Sequence, residues 1–298
     1  KPEKYLEIDN FYTTTIYEKG SEIIRMAYAI LKKEKFQKGF SDFIFKYDGQ
    51  GATIDQFIDT IFKNNNSIDI SKFKLWYTQN GTPNIKFKRN WDKNKRILSI
   101  SISQNNKYCS NFNSLIIPIR IAIFTHENNF KEYLFILKEN KEEFIVNNIN
   151  TDLDKPIVTY FREFSAPVKW QTDSNVDEEI FILKNEKDLF TIYDSISKLY
   201  RLIINKRLLN KIDYDLENKL INTISLILEK NFINSYLLSE ILNIPSFVDL
   251  EIDIINIDPI EINKIIEDLN KKFALRLKGL LVNKINHIKD SINNEWPK

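Results

Sequence analysis

The chain has 298 residues, of which 43% are hydrophobic and 28% charged, so it can form real cores beneath a charged surface in about one to three domains. Its formal net charge of +2 provides no strong attraction to nucleic acid or to an acidic membrane surface. No apolar run reaches the roughly 18 residues of a transmembrane helix. A single cysteine, Cys109, excludes an intramolecular disulfide framework and favours a reducing compartment, so we expect a cytoplasmic protein.

The first predicted helix begins near Tyr17. Thr15 and Glu18 have the spacing of a capping box, which marks a helix start. Tyr17 should then lie in the first turn, close to free backbone N–H groups and the positive end of the helix dipole. A phenol there can donate a hydrogen bond to a developing oxyanion, although a tyrosine in a first turn is more often structural. Apolar residues recur at helical spacing and predict a buried face made of Ile16, Ile23, Ile24, Ala27, Ile30 and Leu31.

Three regions follow from the change of hydrophobic period along the chain. Residues 1–81 read as helices that break at Asp48-Gly49-Gln50-Gly51, and a second capping box, Thr53 with Gln56, starts the next helix. Residues 82–172 have a period of two, with Ile85 and Phe87 alternating with lysines, which predicts a small β-sandwich. Asp92-Lys93-Asn94 predicts a hairpin turn. Further strands are expected at 98–103, 115–124, 133–137, 144–146 and 157–164.

The third region, 173–298, has the apolar spacing of consecutive amphipathic helices. Helix starts are indicated at Asp213, at Ser235 and at Asp258-Pro259, where proline suits the first turn. Short connections between such helices predict an α-solenoid-like array, although no strict sequence repeat is present. The array looks truncated, so its last helices should expose apolar surface. The predicted helices cover 189–209, 216–228, 233–242 and 260–288.

Several strings in the first region resemble one enzyme family, the zinc-dependent aminopeptidase N family of His-Glu-x-x-His metalloaminopeptidases. The strings closest to its catalytic-tyrosine segment are Phe11-Tyr12-Thr13, Tyr17-Glu18-Lys19-Gly20 and Arg25-Met26. The resemblance implies that Tyr17 supports the tetrahedral intermediate and that Tyr12 lines the pocket for the first side chain of the substrate. Glu18 and Arg25 are interpreted as helix-cap and structural residues, and Glu18 is also a candidate for substrate contact.

The resemblance continues in register along the chain and also implies a fold. That fold is a multi-domain α+β arrangement: the helical end of a thermolysin-like catalytic domain at 1–81, a small β-sandwich at 82–172, and the start of a solenoid-like helical domain at 173–298. Lys46-Tyr47 replaces a usual Arg-His and Gly51 replaces an alanine, at positions that are not catalytic. The matching strings are 36–39, 48–49, 52–53, 55–57, 76–83, 163–169 and 257–260.

The zinc-binding motif of that family is not in this chain. A zinc site of this kind needs two histidines four residues apart on one helix, and the two histidines here, His126 and His287, are far apart. The resemblance places the zinc ligands upstream, so we assign no metal ligand in this chain. The chain is expected to be an internal or carboxy-terminal fragment, inert alone. Its expected partners are peptide substrates and the missing amino-terminal catalytic half, in an enzyme that is monomeric when complete.

A second hypothesis is a non-catalytic binding protein made of the β-sandwich and the helical repeats, retained after loss of the zinc half. The intact strings around Tyr12 and Tyr17 favour the fragment over such a pseudoenzyme remnant. Helix packing could preserve part of those strings, so the alternative stays open at the level of sequence.

Overall fold

A computed structural model of the chain describes residues 17–65, 67–106, 109, 112–229, 235–247, 250 and 258–295. The chain divides into two compact units, Lys1–Asp173 and Ser174–Lys298. None of the helices in the described part is long and apolar enough to cross a membrane. Among its described residues the first unit contains three α-helices and two β-sheets, and the described residues of the second unit are helical.

The first unit begins with three helices: α1 (Glu18–Tyr47), α2 (Ile54–Phe62) and α3 (Ile70–Thr78). The chain leaves α1 through Gly49, whose φ of +68° is left-handed. The Thr53 hydroxyl accepts the backbone N–H of Gln56, and the Gln56 side chain accepts that of Thr53. The predicted break and the second capping box are therefore confirmed.

Helix α1 is kinked at Lys32, where φ is 62° and ψ is 167°. On one side it approaches α2 so closely that a Cβ on Gly39 would lie 2.9 Å from the Ile61 Cα. The predicted buried face was partly wrong, because Ile24 is exposed and Ile30 only partly buried, and Ile16 lies outside the described residues. The face that packs is narrower than the apolar pattern suggested, and it consists of Ile23, Met26, Ala27 and Leu31.

The β-sandwich consists of a four-stranded sheet in the order β5-β2-β1-β7 and a three-stranded sheet in the order β4-β3-β6. Alternation places Ile85 and Phe87 inside while their lysine neighbours face solvent, as predicted. The predicted hairpin after β1 is also present, and its loop runs from Lys93 to Arg96. The strands are β1 (Asn84–Asp92), β2 (Ile97–Asn105), β3 (Ile117–His126), β4 (Asn129–Leu137), β5 (Lys141–Val146), β6 (Ile157–Thr159) and β7 (Lys169–Gln171).

Two details of the sandwich correct the sequence prediction. The strand expected at 157–164 ends at Thr159, and Arg162–Phe164 forms a short 3-10 turn entered through a left-handed Phe161. The unpredicted β7 pairs in parallel with the start of β1. Three residues are too few to show an alternating pattern, so β7 could not be recognised from sequence.

The second unit has five helices in its described residues. Their apolar sides meet in one buried core that runs from Ile180 to Leu277. Asp213 starts α6 by accepting the N–H of Leu216, and Asp258 accepts that of Ile260 at the start of α8, as the sequence indicated. Helix α4 was not predicted. The bounds are α4 (Val176–Asn185), α5 (Leu189–Leu208), α6 (Tyr214–Glu229), α7 (Ser235–Leu242) and α8 (Pro259–Glu295).

Candidate active site

Tyr17 stands at the amino-terminal end of α1, immediately before the first turn in which it was predicted to lie. It is the N-cap residue, and its carbonyl accepts the N–H of Ser21 at 3.1 Å. Its side chain is 66% exposed, so the hydroxyl is available to a ligand. Thr15, the predicted capping residue, and Tyr12, the predicted pocket residue, lie outside the described residues. The position beside the free N–H groups of the helix start agrees with the chemistry expected of an oxyanion donor.

A cavity of 560 Å³ adjoins this helix start. One wall is the first turn of α1, where Glu18 and Glu22 contribute carboxylates and Ser21 a hydroxyl. The opposite wall is the segment that enters β7, with the apolar surfaces of Phe164, Pro167 and Val168. Glu18 is exposed and lines this cavity immediately after Tyr17. The cavity therefore has carboxylates on its wall next to Tyr17 in sequence, and the predicted substrate contact of Glu18 remains a prediction.

Lys19 fixes the helix start to the end of the helical segment. Its ammonium group donates to the Gly81 carbonyl at 3.3 Å and lies 6.0 Å from the centre of the Trp76 ring. Burial lowers the pKa of Lys19 from its usual value. Gly81 has a φ of +74°, which a residue with a side chain rarely adopts. Lys19 thus acts as a structural anchor beside Tyr17.

Side-chain hydrogen bonds from Trp76 and Gln79 hold the end of helix α3 against the sandwich. The Trp76 indole N–H donates to the Ile116 carbonyl at 2.9 Å. The Gln79 amide donates to the Asn113 carbonyl and accepts the Asn113 N–H, at 3.1 and 2.7 Å. These bonds join the end of α3 to the segment that enters β3, so the segment that holds Lys19 is attached to the sandwich.

Arg25 links α1 to the turn at Glu163 and Phe164, and Phe164 also lines the cavity. Its guanidinium donates to the backbone carbonyls of both Glu163 and Phe164 and lies 5.4 Å from the centre of the Phe164 ring. The Glu22 carboxylate accepts from Arg25 at 2.7 Å. The turn that Arg25 holds is itself tied to β3, because Arg120 pairs with the Glu163 carboxylate. Arg25 therefore fixes the second turn of the helix that carries Tyr17.

Backbone strain is concentrated in that turn. Phe161, Glu163 and Phe164 have φ values of 55°, 54° and 50°, in the left-handed region that residues with side chains avoid. Strain of this kind persists only where surrounding contacts impose it, and the Arg25 bonds to two of the three residues provide such contacts. The contact spans 138 residues of sequence. No local pattern announces it, and for that reason Arg25 was interpreted from the sequence only as structural.

The described residues contain no group of three or more histidine, cysteine or acidic side chains that could hold a metal ion. His126 ends β3, and its Nδ1 lies 2.7 Å from the Asp152 carboxylate. Hydrogen bonding to His126 lowers the pKa of Asp152. His287 falls within α8, in the second unit. The described residues therefore do not fit a zinc site.

Comparison with known proteins identifies three consecutive family regions. Residues 1–77 match the peptidase family M1 domain, residues 81–173 a domain of unknown function with an Ig-like fold, and residues 176–295 a domain of unknown function with ARM repeats. The Ig-like and ARM-repeat descriptions confirm the predicted fold class of sandwich followed by solenoid-like helices.

Three curated relatives carry the name aminopeptidase N. The chain is 31% identical to the one from Haemophilus influenzae over 67% of its length, 27% identical to that of Escherichia coli over 95%, and 29% identical to that of Caulobacter vibrioides over 94%. The matched segments cover 24%, 34% and 33% of those relatives, so the chain spans about a third of their length or less. A crystal structure of Legionella pneumophila aminopeptidase A in complex with aspartic acid shares the fold, with a TM-score of 0.82 and 23% identity over 96% of this chain and 33% of that one.

Proposed function

Because this chain belongs to the aminopeptidase N family of M1 peptidases, we propose that it is the carboxy-terminal part of a zinc aminopeptidase that cleaves the first peptide bond of peptides. The observation that carries the proposal is the position of Tyr17. It is an exposed phenol at the start of a helix that Lys19 and Arg25 hold in place, next to a cavity large enough for part of a peptide.

The proposed role of Tyr17 is to donate a hydrogen bond to the oxygen of the attacked carbonyl as negative charge develops there. A fixed donor stabilises the transition state more than the substrate and so raises turnover. Glu18, on the wall of the adjacent cavity, is proposed to contact the substrate, and Tyr12 to line the pocket for its first side chain.

Zinc belongs to this proposal as the metal of the complete enzyme, held by residues outside the described part of this chain. The described part contributes a hydrogen-bond donor and a cavity wall, and it holds no metal site. We therefore expect the isolated chain to be inactive. Metal-dependent release of an amino acid from a chromogenic amide by the purified chain would contradict this assignment.

The experiment that tests Tyr17 is its replacement by phenylalanine in the complete enzyme. Tyr17→Phe removes only the hydroxyl, and we expect turnover to fall by about 10²–10³ with little change in KM, as for other single oxyanion donors. Tyr28→Phe is the matched control, because Tyr28 is a partly exposed tyrosine on the same helix and should retain full activity. A Tyr17→Phe enzyme with near-normal turnover would remove Tyr17 from the mechanism.

We further propose that the complete enzyme works as a monomer in the cytoplasm. The support for this compartment is compositional: the chain has one cysteine, Cys109, and hence no internal disulfide. Fractionation of cells with an antibody against this chain, followed by gel filtration of the positive fraction, tests both points. Recovery from a membrane or secreted fraction would contradict the first, and elution at twice the expected mass the second.

A further inference from the structure

The peptide group between Asn80 and Gly81 has reactive groups on both sides. Asn80 is the only asparagine of the chain that precedes a glycine, so no neighbouring side chain shields the Gly81 nitrogen. Both residues lie between α3 and β1 and are partly exposed. Within the described ranges, the Asn80 side-chain amide and the Gly81 N–H take part in no hydrogen bond. The side-chain amide carbon of Asn80 and the nitrogen of Gly81 are therefore both available to react.

A buried side chain polarises this peptide group. The Asn106 amide donates to the Asn80 carbonyl at 2.7 Å, and Asn106 is only 7% exposed. That carbonyl belongs to the same peptide group as the Gly81 nitrogen, and the two atoms share electrons by resonance. A hydrogen bond to the oxygen becomes stronger as the nitrogen loses its proton, because the negative charge spreads to the oxygen. Asn106 thus favours the nucleophilic form of the Gly81 nitrogen.

The surroundings of Gly81 supply a positive charge and access for water. The Lys19 ammonium group donates to the Gly81 carbonyl at 3.3 Å, so a cation stands near the nitrogen on which negative charge develops. Lys19 and Thr82 line the 560 Å³ cavity at the start of α1, and the Asn80-Gly81 segment therefore borders space that admits water. A reaction at this segment that consumes water meets no steric obstacle.

We propose that Asn80-Gly81 is a site of spontaneous modification, at which Asn80 is converted to aspartate and isoaspartate. The Gly81 nitrogen loses its proton to solvent and attacks the Asn80 Cγ. An N–Cγ bond forms, the Cγ–Nδ2 bond breaks and ammonia leaves, which gives a cyclic imide. Water then opens the imide. Cleavage of the N–Cγ bond yields aspartate, and cleavage of the bond between the nitrogen and the original backbone carbonyl carbon yields isoaspartate.

The modification should loosen the Lys19 anchor. Either product carries a new carboxylate one residue from the carbonyl to which Lys19 donates. In isoaspartate this carboxylate is the former Asn80 carbonyl, and the main chain is longer by one methylene group. A charged acceptor binds an ammonium group more strongly than a neutral carbonyl does, so the carboxylate competes with Gly81 for Lys19. Because Lys19 holds the helix that begins at Tyr17, turnover should fall, a consequence that rests on the proposed function.

The test is peptide mapping by mass spectrometry of the purified chain during incubation at neutral pH. Asn80 should gain the mass that converts an amide to a carboxyl group, in two chromatographically distinct products, faster than any other asparagine. Asn80→Gln is the matched control, because it keeps the amide but must close a larger ring, and it should stay unmodified over the same period. An Asn80 that stays intact while other asparagines react would overturn the proposal.

Removal of the Asn106 donor tests the activating hydrogen bond. In Asn106→Ala we expect the Asn80 reaction of the folded chain to slow by about fivefold or more, since a hydrogen bond to a charged group contributes more than one to a neutral group. Asn106→Leu repeats the measurement with a side chain of similar volume. In urea, where the contact is lost, all these proteins should react at one rate. Equal rates in the folded wild type and both variants would overturn the role of Asn106.

Activity of the complete enzyme is a separate readout of the Lys19 anchor. Wild-type turnover should fall in step with the conversion of Asn80, and Asn80→Gln should keep its turnover over the same period. Conversion of Asn80 without any loss of turnover would overturn the loosened anchor. Absence of aminopeptidase activity from the start would refute the proposed function, whereas the mass measurement would still decide whether Asn80 is modified.

Discussion

Helix α1 in the first unit and helix α6 in the second are both amphipathic, yet only α6 is covered. Leu216, Leu220, Ile224 and Ile227 of α6 are at most 3% exposed and belong to one core. Helix α1 buries a comparable set on one side, and on the other Tyr28, Phe40 and Ile44 are 40%, 46% and 48% exposed. An apolar pattern thus shows which residues share a helix face, and only the structure shows which face is covered.

The difference extends to polar contacts. In the second unit a buried carboxylate, Glu217, is completely paired: Arg207 donates to it at 2.6 and 3.0 Å and Lys272 at 2.6 Å. These bonds join α6 to α5 and α8, so the core of the second unit is stabilised by ion pairs as well as by apolar packing. In the first unit the charged contact near the site, that of Arg25, is partly exposed and holds a strained turn.

The largest predicted effect comes from removing the ion pairs of Glu217 in the second unit. Glu217→Gln removes the carboxylate that Arg207 and Lys272 share, while Arg207 keeps its pair with Asp268, and removal of one partner from a buried ion pair typically costs about 3–5 kcal/mol. We expect that loss in the free energy of unfolding of the second unit, measured by urea denaturation. Lys219→Ala is the control, because its pairs with Asp177 and Asp215 are exposed and should contribute less than about 1 kcal/mol.

The Glu217 carboxyl also predicts that the stability of the second unit depends on pH. Burial raises the pKa of Glu217, but hydrogen bonds from Arg207 and Lys272 outweigh this and lower it below the usual 4.5. A carboxyl whose folded pKa is depressed contributes stability above its unfolded pKa and loses it as pH falls through the folded value. Between neutral pH and pH 3 the wild type should therefore lose more stability than Glu217→Gln. Equal losses in the two proteins would show that this carboxylate does not control acid unfolding.

A pair of apolar truncations sharpens the comparison between the two helices. Leu220→Ala in α6 removes a fully buried side chain and should cost about 2–5 kcal/mol. Ile44→Ala, on the exposed side of α1, removes a side chain that is 48% exposed and should change stability by no more than about 0.5 kcal/mol in the isolated chain. Chemical denaturation of both variants is the measurement. A large loss in the free energy of unfolding of Ile44→Ala would contradict the exposure of this side of α1.

The packed side of α1 is tested at Gly39. A Cβ there would meet the Ile61 backbone at 2.9 Å, and backbone cannot move aside cheaply, so Gly39→Ala should destabilise the first unit by about 1–3 kcal/mol. Gly20→Ala is matched chemically: Gly20 lies in the same helix with nothing within 4 Å of the added methyl group. That variant should be stabilised by about 0.5–1 kcal/mol, since alanine favours a helix. Identical effects at the two glycines would contradict the close approach of α1 and α2.

Sequence reasoning was reliable where a residue's surroundings are local. The Thr53–Gln56 capping box, the break at Gly49 and the alternation around Ile85 depend on neighbours within a few residues, and all three were predicted. The Arg25 contact with the turn at Glu163 joins residues 138 apart, and the turn owes its left-handed backbone to that contact. The strand predicted through Phe164 was wrong for this reason, because its apolar pattern continues where the tertiary contacts impose a turn.

The same reasoning explains what was missed at the candidate site. A helix start near Tyr17 was predicted from a capping pattern and the role of Tyr17 from a resemblance, but the pattern placed Tyr17 within the first turn, and the structure makes it the N-cap residue. The cavity beside it depends on Pro167 and Val168 meeting the first turn of α1, which only the folded first unit brings together. Burial of Ile24 was predicted from spacing that shows which residues share a face but not which face is covered.

The smallest predicted effect concerns the kink of helix α1 at Lys32. Lys32 has φ 62° and ψ 167°, a conformation that is essentially restricted to glycine and costs a residue with a side chain roughly 1–3 kcal/mol. Lys32→Gly should therefore stabilise the first unit by about 1 kcal/mol, after allowance for the greater freedom of glycine in the unfolded chain. Lys38→Gly, at an exposed helical position in the same helix, should instead cost about 1 kcal/mol. Urea denaturation of the two variants distinguishes a kink imposed on an unfavourable residue from an ordinary helical site, because opposite signs are expected only if the backbone at Lys32 is strained.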